Sequence, residues 1–141
     1  MAEQAGSPLV LYGYWRSSSA YRVRIALNLK GLDYRQEPVH LVRDGGEQNT
    51  AAYRHLNPLG LVPALVHGET VIVQSLAICE YLEEVLAGPA LLPADAPGRA
   101  RVRGIVQTVC SEVQPLNNLG VTNYLRDEMR QDRQAIAGWY E

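Results

Sequence analysis

Cysteine is scarce in this chain: Cys79 and Cys110 are the only two in 141 residues. A domain of this length buries roughly 70% of its unfolded surface on folding, so the fold can rest on its core without a disulfide framework. A dominant charge is missing as well. Thirteen Lys and Arg stand against fifteen Asp and Glu, leaving a net charge of −2 with no basic block, which excludes the electrostatic footprint of a nucleic-acid binder. No apolar run approaches the ~20 residues that a membrane-spanning helix requires. Residues 1–4, Met-Ala-Glu-Gln, lack the basic start and apolar stretch of a signal peptide. Two thiols without an export signal point to a reducing cytoplasm. His40, His55 and His67 share no metal-ligand spacing, so they read as surface or loop residues and no metal site is expected. Cys79 falls on an apolar helical arc with Ile78, Leu82 and Leu86, and Cys110 lies at the edge of another. Both read as small hydrophobes of the interior.

What is present is an orderly change of hydrophobic period. Residues 8–15 read as a strand, 17–30 as a helix closed by Gly31, and 34–39 as a second, alternating strand. Strand, helix and strand at this length make a βαβ unit with a right-handed crossover. Asp44-Gly45-Gly46 marks a loop over 40–49, and 51–56 reads as a short helix stopped by Asn57-Pro58. The β-rich runs 59–67 and 70–73 flank Gly68-Glu69 and form a hairpin. A helix over 75–87 follows, with Glu80, Glu83 and Glu84 on its wet side. The order β-α-β-α-β-β-α places the chain in the α/β class, with a four-stranded mixed sheet in a thioredoxin-like arrangement over residues 1–87.

Residues 88–97 contain three prolines and read as a linker. From Gly98 a long helix carries Val102, Ile105, Val106, Val109 and Val113 on one stripe, and Pro115 must kink or end it. Gln107, Ser111, Gln114 and Asn118 occupy the opposite side, which by default faces solvent. A further helical stretch begins near Arg130, and Ala135, Ile136, Trp139 and Tyr140 keep the pattern apolar up to Glu141. One helix and a stub cannot cover their own stripes. They fold back on the first domain, pair with another chain, or belong to a larger helical domain. The last is the expectation, with 98–141 as the first part of an all-α domain.

The most informative stretch is Trp15-Arg16-Ser17-Ser18-Ser19-Ala20-Tyr21-Arg22-Val23-Arg24-Ile25. Three hydroxyls and the orphaned amides of a first helical turn converge there, at the positive end of a helix dipole. Serine is a preferred N-cap, and capping alone accounts for one of the three. The remaining hydroxyls suit an anion, and the same field favours a thiolate over a thiol. With no cysteine in the segment, such a thiol would have to arrive on a ligand. A serine nucleophile is the weaker reading, because no histidine is near in sequence.

Two later features fit a thiol-bearing peptide. Val62-Pro63 opens a strand, where proline is tolerated. A trans prolyl bond is expected by default, whereas a cis bond would present the Val62 N–H and C=O to an extended ligand. Gln74-Ser75 starts the next helix and repeats the anion-site arrangement, although capping explains Ser75 as well.

On these residues the chain resembles the zeta-class glutathione transferases. Their signature runs Ser-Ser-Cys, an aromatic residue, then Arg-Val-Arg-Ile-Ala-Leu, and residues 15–27 are similar to it. Asp44-Gly45-Gly46, Leu56-Asn57-Pro58, Val62-Pro63, residues 74–78, Leu91-Leu92-Pro93 and residues 114–119 follow in the family's order. The resemblance implies glutathione-dependent maleylacetoacetate isomerase activity, a step of tyrosine and phenylalanine breakdown, and a homodimer. Maleylpyruvate isomerase or a broader transferase activity remains open. From another class, so does a glutathione-binding module without turnover.

Carried over by position, the resemblance implies that Ser17 hydrogen-bonds the glutathione sulfur. Ser18, Ser19, Ala20, Tyr21 and Arg22 would complete that pocket. Gln48 and the Val62 backbone would bind the peptide, and Gln74 and Ser75 the γ-glutamyl carboxylate. Gln114, Asn118, Leu119 and Gly120 would border the glutathione and substrate region. Arg16 and Arg22 are the cations nearest to hand for substrate carboxylates. Arg22 ranks higher, because it projects into the apolar arc while Arg24 points away; an ordinary ion pair is its alternative role. One departure stands in the signature, where Ser19 replaces the family's cysteine. Family members also continue for several helices past residue 141.

Overall fold

In a computed structural model, residues 6–140 are described, and they divide into two compact units that meet between Pro93 and Ala94. Residues 1–4, read above for a signal peptide, lie outside the described residues. The first unit contains strands β1 (Leu9–Gly13), β2 (Arg35–Pro38), β3 (Ala64–His67) and β4 (Thr70–Val73) in the order β2-β1-β3-β4. β1 runs parallel to β2 and antiparallel to β3, and β3 is antiparallel to β4. Helices α1 (Ser18–Leu29), α2 (Ala51–Leu56) and α3 (Ser75–Val85) complete the unit. The thioredoxin-like arrangement read from the sequence is the fold.

Register decides which side chains meet. Leu11 stands opposite Leu65, and Leu65 opposite Ile72. With Leu9 they share one face of the sheet, where they join Val23, Ala26 and Leu27 of α1 and Ile78 and Leu82 of α3. Each fully buried Leu or Ile here contributes on the order of 1.5–3 kcal/mol. Tyr12 projects from the opposite face, and its ring lies 6.3 Å from that of Tyr53 on α2. The sheet is therefore covered by α1 and α3 on one side and α2 on the other.

The elements are shorter than the hydrophobic pattern suggested, for local reasons. β1 stops at Gly13 because the Tyr14 carbonyl accepts the Ser17 N–H at 3.0 Å in a turn. β3 begins only at Ala64, since Gly60 turns back on Asn57; the Val62–Pro63 bond is cis, where trans was the default. α3 ends at Val85, with Leu86 already extended. His67 overturns its surface reading. It is 0% exposed, because position 67 is in phase with Leu65 on the covered face. Tyr81 of α3 meets its Nδ1 at 2.9 Å.

Glu83 also departs from expectation, leaving the wet side of α3. Its side chain is 11% exposed and meets Lys30 Nζ, itself 2% exposed, at 3.2 Å. The carboxylate further accepts the N–H groups of Leu91 and Leu92. Lys30 also donates to the Pro89 carbonyl. Ion pair and amides together latch residues 89–92 across the ends of α1 and α3.

The second unit is helical. Asp95 accepts the Gly98 N–H at 2.7 Å and starts α4 (Ala96–Gln107) two residues earlier than the pattern implied. A π-helical segment, Thr108–Val113, continues it up to the Gln114-Pro115 break. α5 (Leu119–Asp127), capped by Asn118, was missing from the sequence reading. α6 (Arg133–Gly138) follows an Asp132 cap. Ile105, Val109 and Val113 of the apolar stripe are exposed.

The latch generates a prediction. The Leu91 N–H above all holds the Glu83 carboxyl below its usual range; burial opposes it, and Lys30 and the Leu92 N–H add smaller lowering effects. A group with a lowered folded pKa contributes stability fully above its unfolded pKa of ~4.3 and loses it as pH falls through the folded value. Glu83→Gln should therefore cost about 3 kcal/mol at pH 7, since it leaves the buried Lys30 without a counter-charge, bonded only to neutral acceptors such as the Pro89 carbonyl. The deficit against wild type should shrink below pH ~4 in urea unfolding. A deficit that stays constant with pH would contradict this account of the latch.

Candidate functional site

The register levels one end of the sheet. Gly13 pairs with Pro38, Tyr12 with Ala64 and Ala64 with Val73. The chain therefore leaves β1 into Tyr14–Ser17, leaves β2 into residues 39–50, enters β3 through Val62-Pro63, and leaves β4 into Gln74-Ser75, all at that end. It is the carboxyl end of the parallel pair, where open α/β sheets bind ligands.

Ser17 is the N-cap of α1, extended at φ −76 and ψ 115, and its Oγ accepts the Ala20 N–H at 3.2 Å. That bond uses a lone pair of the hydroxyl and leaves its hydrogen to be donated outward. Capping and ligand contact are thus compatible roles for one oxygen. Ser18 is exposed and Ser19 half-buried in the first turn, Ala20 is buried beneath them, and Tyr21 is 57% exposed. No acidic side chain occupies the first turn of α1 or of α3, so neither helix neutralises its own positive end.

Arg22 reaches from α1 to the start of α3, where its Nη1 donates to Ser75 Oγ at 2.6 Å. This bond draws the two serine sites together. Ser75 is 7% exposed, and Gln74 before it is exposed with φ 71, outside the helical region. Arg16 is exposed, with its guanidinium 5.7 Å from the Trp15 ring centre. Arg24 turns the other way, over Tyr21 and the Trp15 carbonyl.

Gln48 is held by a loop with unusual backbone. Asp44, Gly45 and Gly46 take φ values of 52, 81 and 90 in succession, a conformation that glycine adopts without cost and aspartate tolerates. A Cβ on Gly46 would collide with the Gln48 side chain. The His40 Nδ1 accepts the N–H groups of Val42 and Arg43, and Glu47 accepts that of His40. Gln48 Nε2 donates to the Leu41 carbonyl, while its buried Oε1 has no partner among the described residues.

The loop before Val62 is gripped at one atom. The Leu61 carbonyl accepts both Tyr53 Oη and Asn57 Nδ2, each at 2.7 Å, and Asn57 Oδ1 accepts the Leu59 N–H. Asn57 is buried. Burial pushes the Tyr53 phenol up to about 12, against a smaller lowering effect from Asn57, so it remains a donor at any physiological pH. In the sequence Asn57 read only as a helix stop, and Tyr53 and His40 carried no signal beyond residue type.

Gln114 ends the π segment half-buried in the second unit, and Asn118 caps α5 by accepting the Gly120 N–H at 2.6 Å. Leu119 and Gly120 are exposed there. Among the described residues no group of three His, Cys, Asp or Glu could hold a metal ion, and no helix is long and apolar enough to cross a membrane.

Residues 16–85 match the family model described as glutathione S-transferase, N-terminal domain. Maleylacetoacetate isomerase of Pseudomonas aeruginosa is 53% identical over 133 residues, covering 92% of this chain and 63% of that protein. Maleylpyruvate isomerase of a Ralstonia species is 48% identical, over 92% of this chain and 60% of its own length. Among solved structures, maleylacetoacetate isomerase from Methylobacterium extorquens AM1 with bound malonate and glutathione superposes with a TM-score of 0.88 at 40% identity, covering 93% of this chain and 61% of that one. That from Anaeromyxobacter dehalogenans, with dicarboxyethyl glutathione and citrate in its active site, gives 0.75 at 40% identity over 96% and 59%. The chain thus spans about three fifths of the length of these relatives.

Removing the side-chain donor to Leu61 tests the grip. Asn57→Leu removes two part-buried hydrogen bonds, to the Leu61 carbonyl and from the Leu59 N–H, and should cost roughly 2 kcal/mol at about 1 kcal/mol each. Tyr53→Phe, which removes one donor alone, should cost about 1 kcal/mol. Chemical denaturation of both variants checks the order, and an Asn57 variant as stable as wild type would refute it.

Proposed function

The chain belongs to the zeta-class glutathione transferase and maleylacetoacetate isomerase family, and from that premise we propose that it binds glutathione and isomerises maleylacetoacetate to fumarylacetoacetate. The observation that carries this reading is the pair of seryl hydroxyls, Ser17 and Ser75. Each starts a helix at the level end of the sheet and accepts a hydrogen bond from the protein. Each is left with a proton to give to an anion. Glutathione has two anionic groups to offer, a thiolate and an amino-acid carboxylate. The unpartnered Gln48 Oε1 supplies an acceptor for its peptide.

When bound, glutathione supplies a thiolate that adds to the cis carbon–carbon double bond and leaves once that bond has rotated to trans. The chain's part is to make and hold that thiolate. A thiol of pKa ~8.5 becomes mostly ionised at neutral pH if lowered by ~2 units, worth roughly 2.7 kcal/mol. In this reading the Ser17 hydroxyl, with Ser18, Ser19 and the amides up to Arg22, supplies that amount in a field no acidic side chain opposes. Gln48 and the Val62 backbone bind the peptide, and Gln74 and Ser75 the γ-glutamyl carboxylate. Arg16 faces the substrate carboxylates, and Gln114 with Asn118 to Gly120 borders the substrate. Residues 1–87 act as the glutathione-binding domain, 88–97 as the linker and 98–141 as part of the helical domain.

Two comparisons support the chemistry. A relative holds glutathione together with malonate, a dicarboxylate. Another holds dicarboxyethyl glutathione, a compound of the kind that thiolate addition to an unsaturated dicarboxylate gives. Maleylpyruvate is the second reading for the substrate, favoured by the 48% identity to the Ralstonia enzyme. The reading extends to a cytoplasmic homodimer serving aromatic amino acid breakdown. The two thiols and the apolar side chains exposed along α4 and the π-helical segment after it, Ile105, Val109 and Val113, support those parts.

Isomerisation of maleylacetone, followed while glutathione is titrated, tests the proposal. A rate that saturates with glutathione is expected. Ser17→Ala should reduce the limiting rate roughly 30-fold, the loss of one hydrogen bond to a charged group, and lower the thiolate absorbance of the complex. Full rate in that variant would overturn the assignment of Ser17. Binding of glutathione without turnover would favour a binding module instead.

A further inference from the structure

The Arg22–Ser75 bond joins residues 53 positions apart in sequence and, at 2.6 Å, is shorter than the 3.2 Å cap bond at Ser17. On the proposed reading that glutathione is the ligand, we infer that Arg22 is a positioning residue for the amino-acid carboxylate of glutathione, acting through the Ser75 hydroxyl rather than on the unsaturated substrate.

A guanidinium donates and cannot accept. With Arg22 Nη1 at 2.6 Å, the Ser75 hydroxyl must offer it a lone pair, which turns the hydroxyl hydrogen away from Arg22. Ser75 opens α3 with Gln74 beside it and no acidic residue in the first turn, so the hydrogen is directed where an anion is favoured. A donor that is itself hydrogen-bonded by a cation is polarised and gives a stronger bond to a carboxylate. Without Arg22 the hydroxyl is free to rotate and to satisfy itself on nearby backbone, as serine does at helix starts. Ser75 is 7% exposed, which limits the competing help that water can give. Ser17 follows the same logic with a backbone donor, the Ala20 N–H. The carboxylate end therefore depends on a side chain from another helix and the thiolate end does not.

The test compares glutathione with its analogue lacking the amino-acid carboxylate, 4-aminobutyryl-cysteinylglycine, by calorimetric titration of the full chain. Arg22→Gln should weaken glutathione roughly tenfold and the analogue by less than about twofold. Arg22→Lys should recover part of the loss, because an ammonium donates without the planar fork. Ser75→Ala should mimic Arg22→Gln, and the double variant should be no weaker than the weaker single. Equal weakening of both ligands by Arg22→Gln, or losses that add in the double variant, would overturn the inference and leave Arg22 a structural tie. If Arg22→Gln does not fold by circular dichroism, the cycle of Arg22→Lys with Ser75→Ala decides by the same criterion. A wild-type chain that binds neither ligand overturns the proposed function itself. A wild-type chain that prefers glutathione, with the preference intact in every Arg22 variant, overturns the role of Arg22 alone.

Discussion

Every candidate site residue of the first unit depends on one constraint, the register that sets Leu11, Leu65 and Ile72 side by side beneath α1 and α3. The period of a strand is two, so a slip of one residue would turn each of them to the other face and bring Tyr12 and Val66 under α1. The covered face penalises that by several buried side chains at once. The same register levels Gly13, Pro38, Ala64 and Val73 at one end. Four stretches far apart in sequence, at Ser17, Gln48, Val62 and Ser75, therefore open on one edge.

Much of this was legible because the signals were local. Ser17 ahead of an apolar helical period marks a cap, Asp44-Gly45-Gly46 marks a loop with turn chemistry, and Gly68-Glu69 marks a hairpin; each is observed where the pattern put it. What escaped needed a partner distant in sequence. Helical phase puts Glu83 among the polar residues of α3, and only the approach of Lys30 and of the amides of Leu91 and Leu92 explains its burial. His67 lay inside the expected strand, but histidine as a residue type suggested surface, and only its phase with Leu65 under Tyr81 of α3 explains its burial. The cis form of Val62–Pro63 has no signature in residue type. α5 had a signal that went unused, since Asn118 is a preferred N-cap.

Capping and catalysis are usually weighed against each other for a serine at a helix start. Hydroxyl geometry removes the opposition. One lone pair suffices for the cap at Ser17, and the proton remains for a ligand. In the proposed function three serines in a row would divide the labour, because a cap is needed once while an anion profits from several donors. The serine at position 19 is consistent with this. A hydroxyl in place of the family's thiol keeps a donor in the field of the helix but carries no thiolate of its own, so in the proposed function the sulfur chemistry would belong to the ligand.

The latch at Glu83 shows how polarity can be buried on this scale without losing stability. An isolated carboxylate taken out of water costs several kcal/mol, as does an ammonium. Here the carboxylate receives Lys30 and two backbone amides, while Lys30 also reaches the Pro89 carbonyl. The two amides belong to residues that follow Pro89, in a segment with no regular structure to satisfy them. An apolar pair in place of Lys30 and Glu83 would pack against α1 and α3 but would leave those amides orphaned. The charges are thus retained at the junction of two helices because the irregular chain beside them needs an acceptor, and a carboxylate is the one side chain that can serve two amides and a cation together.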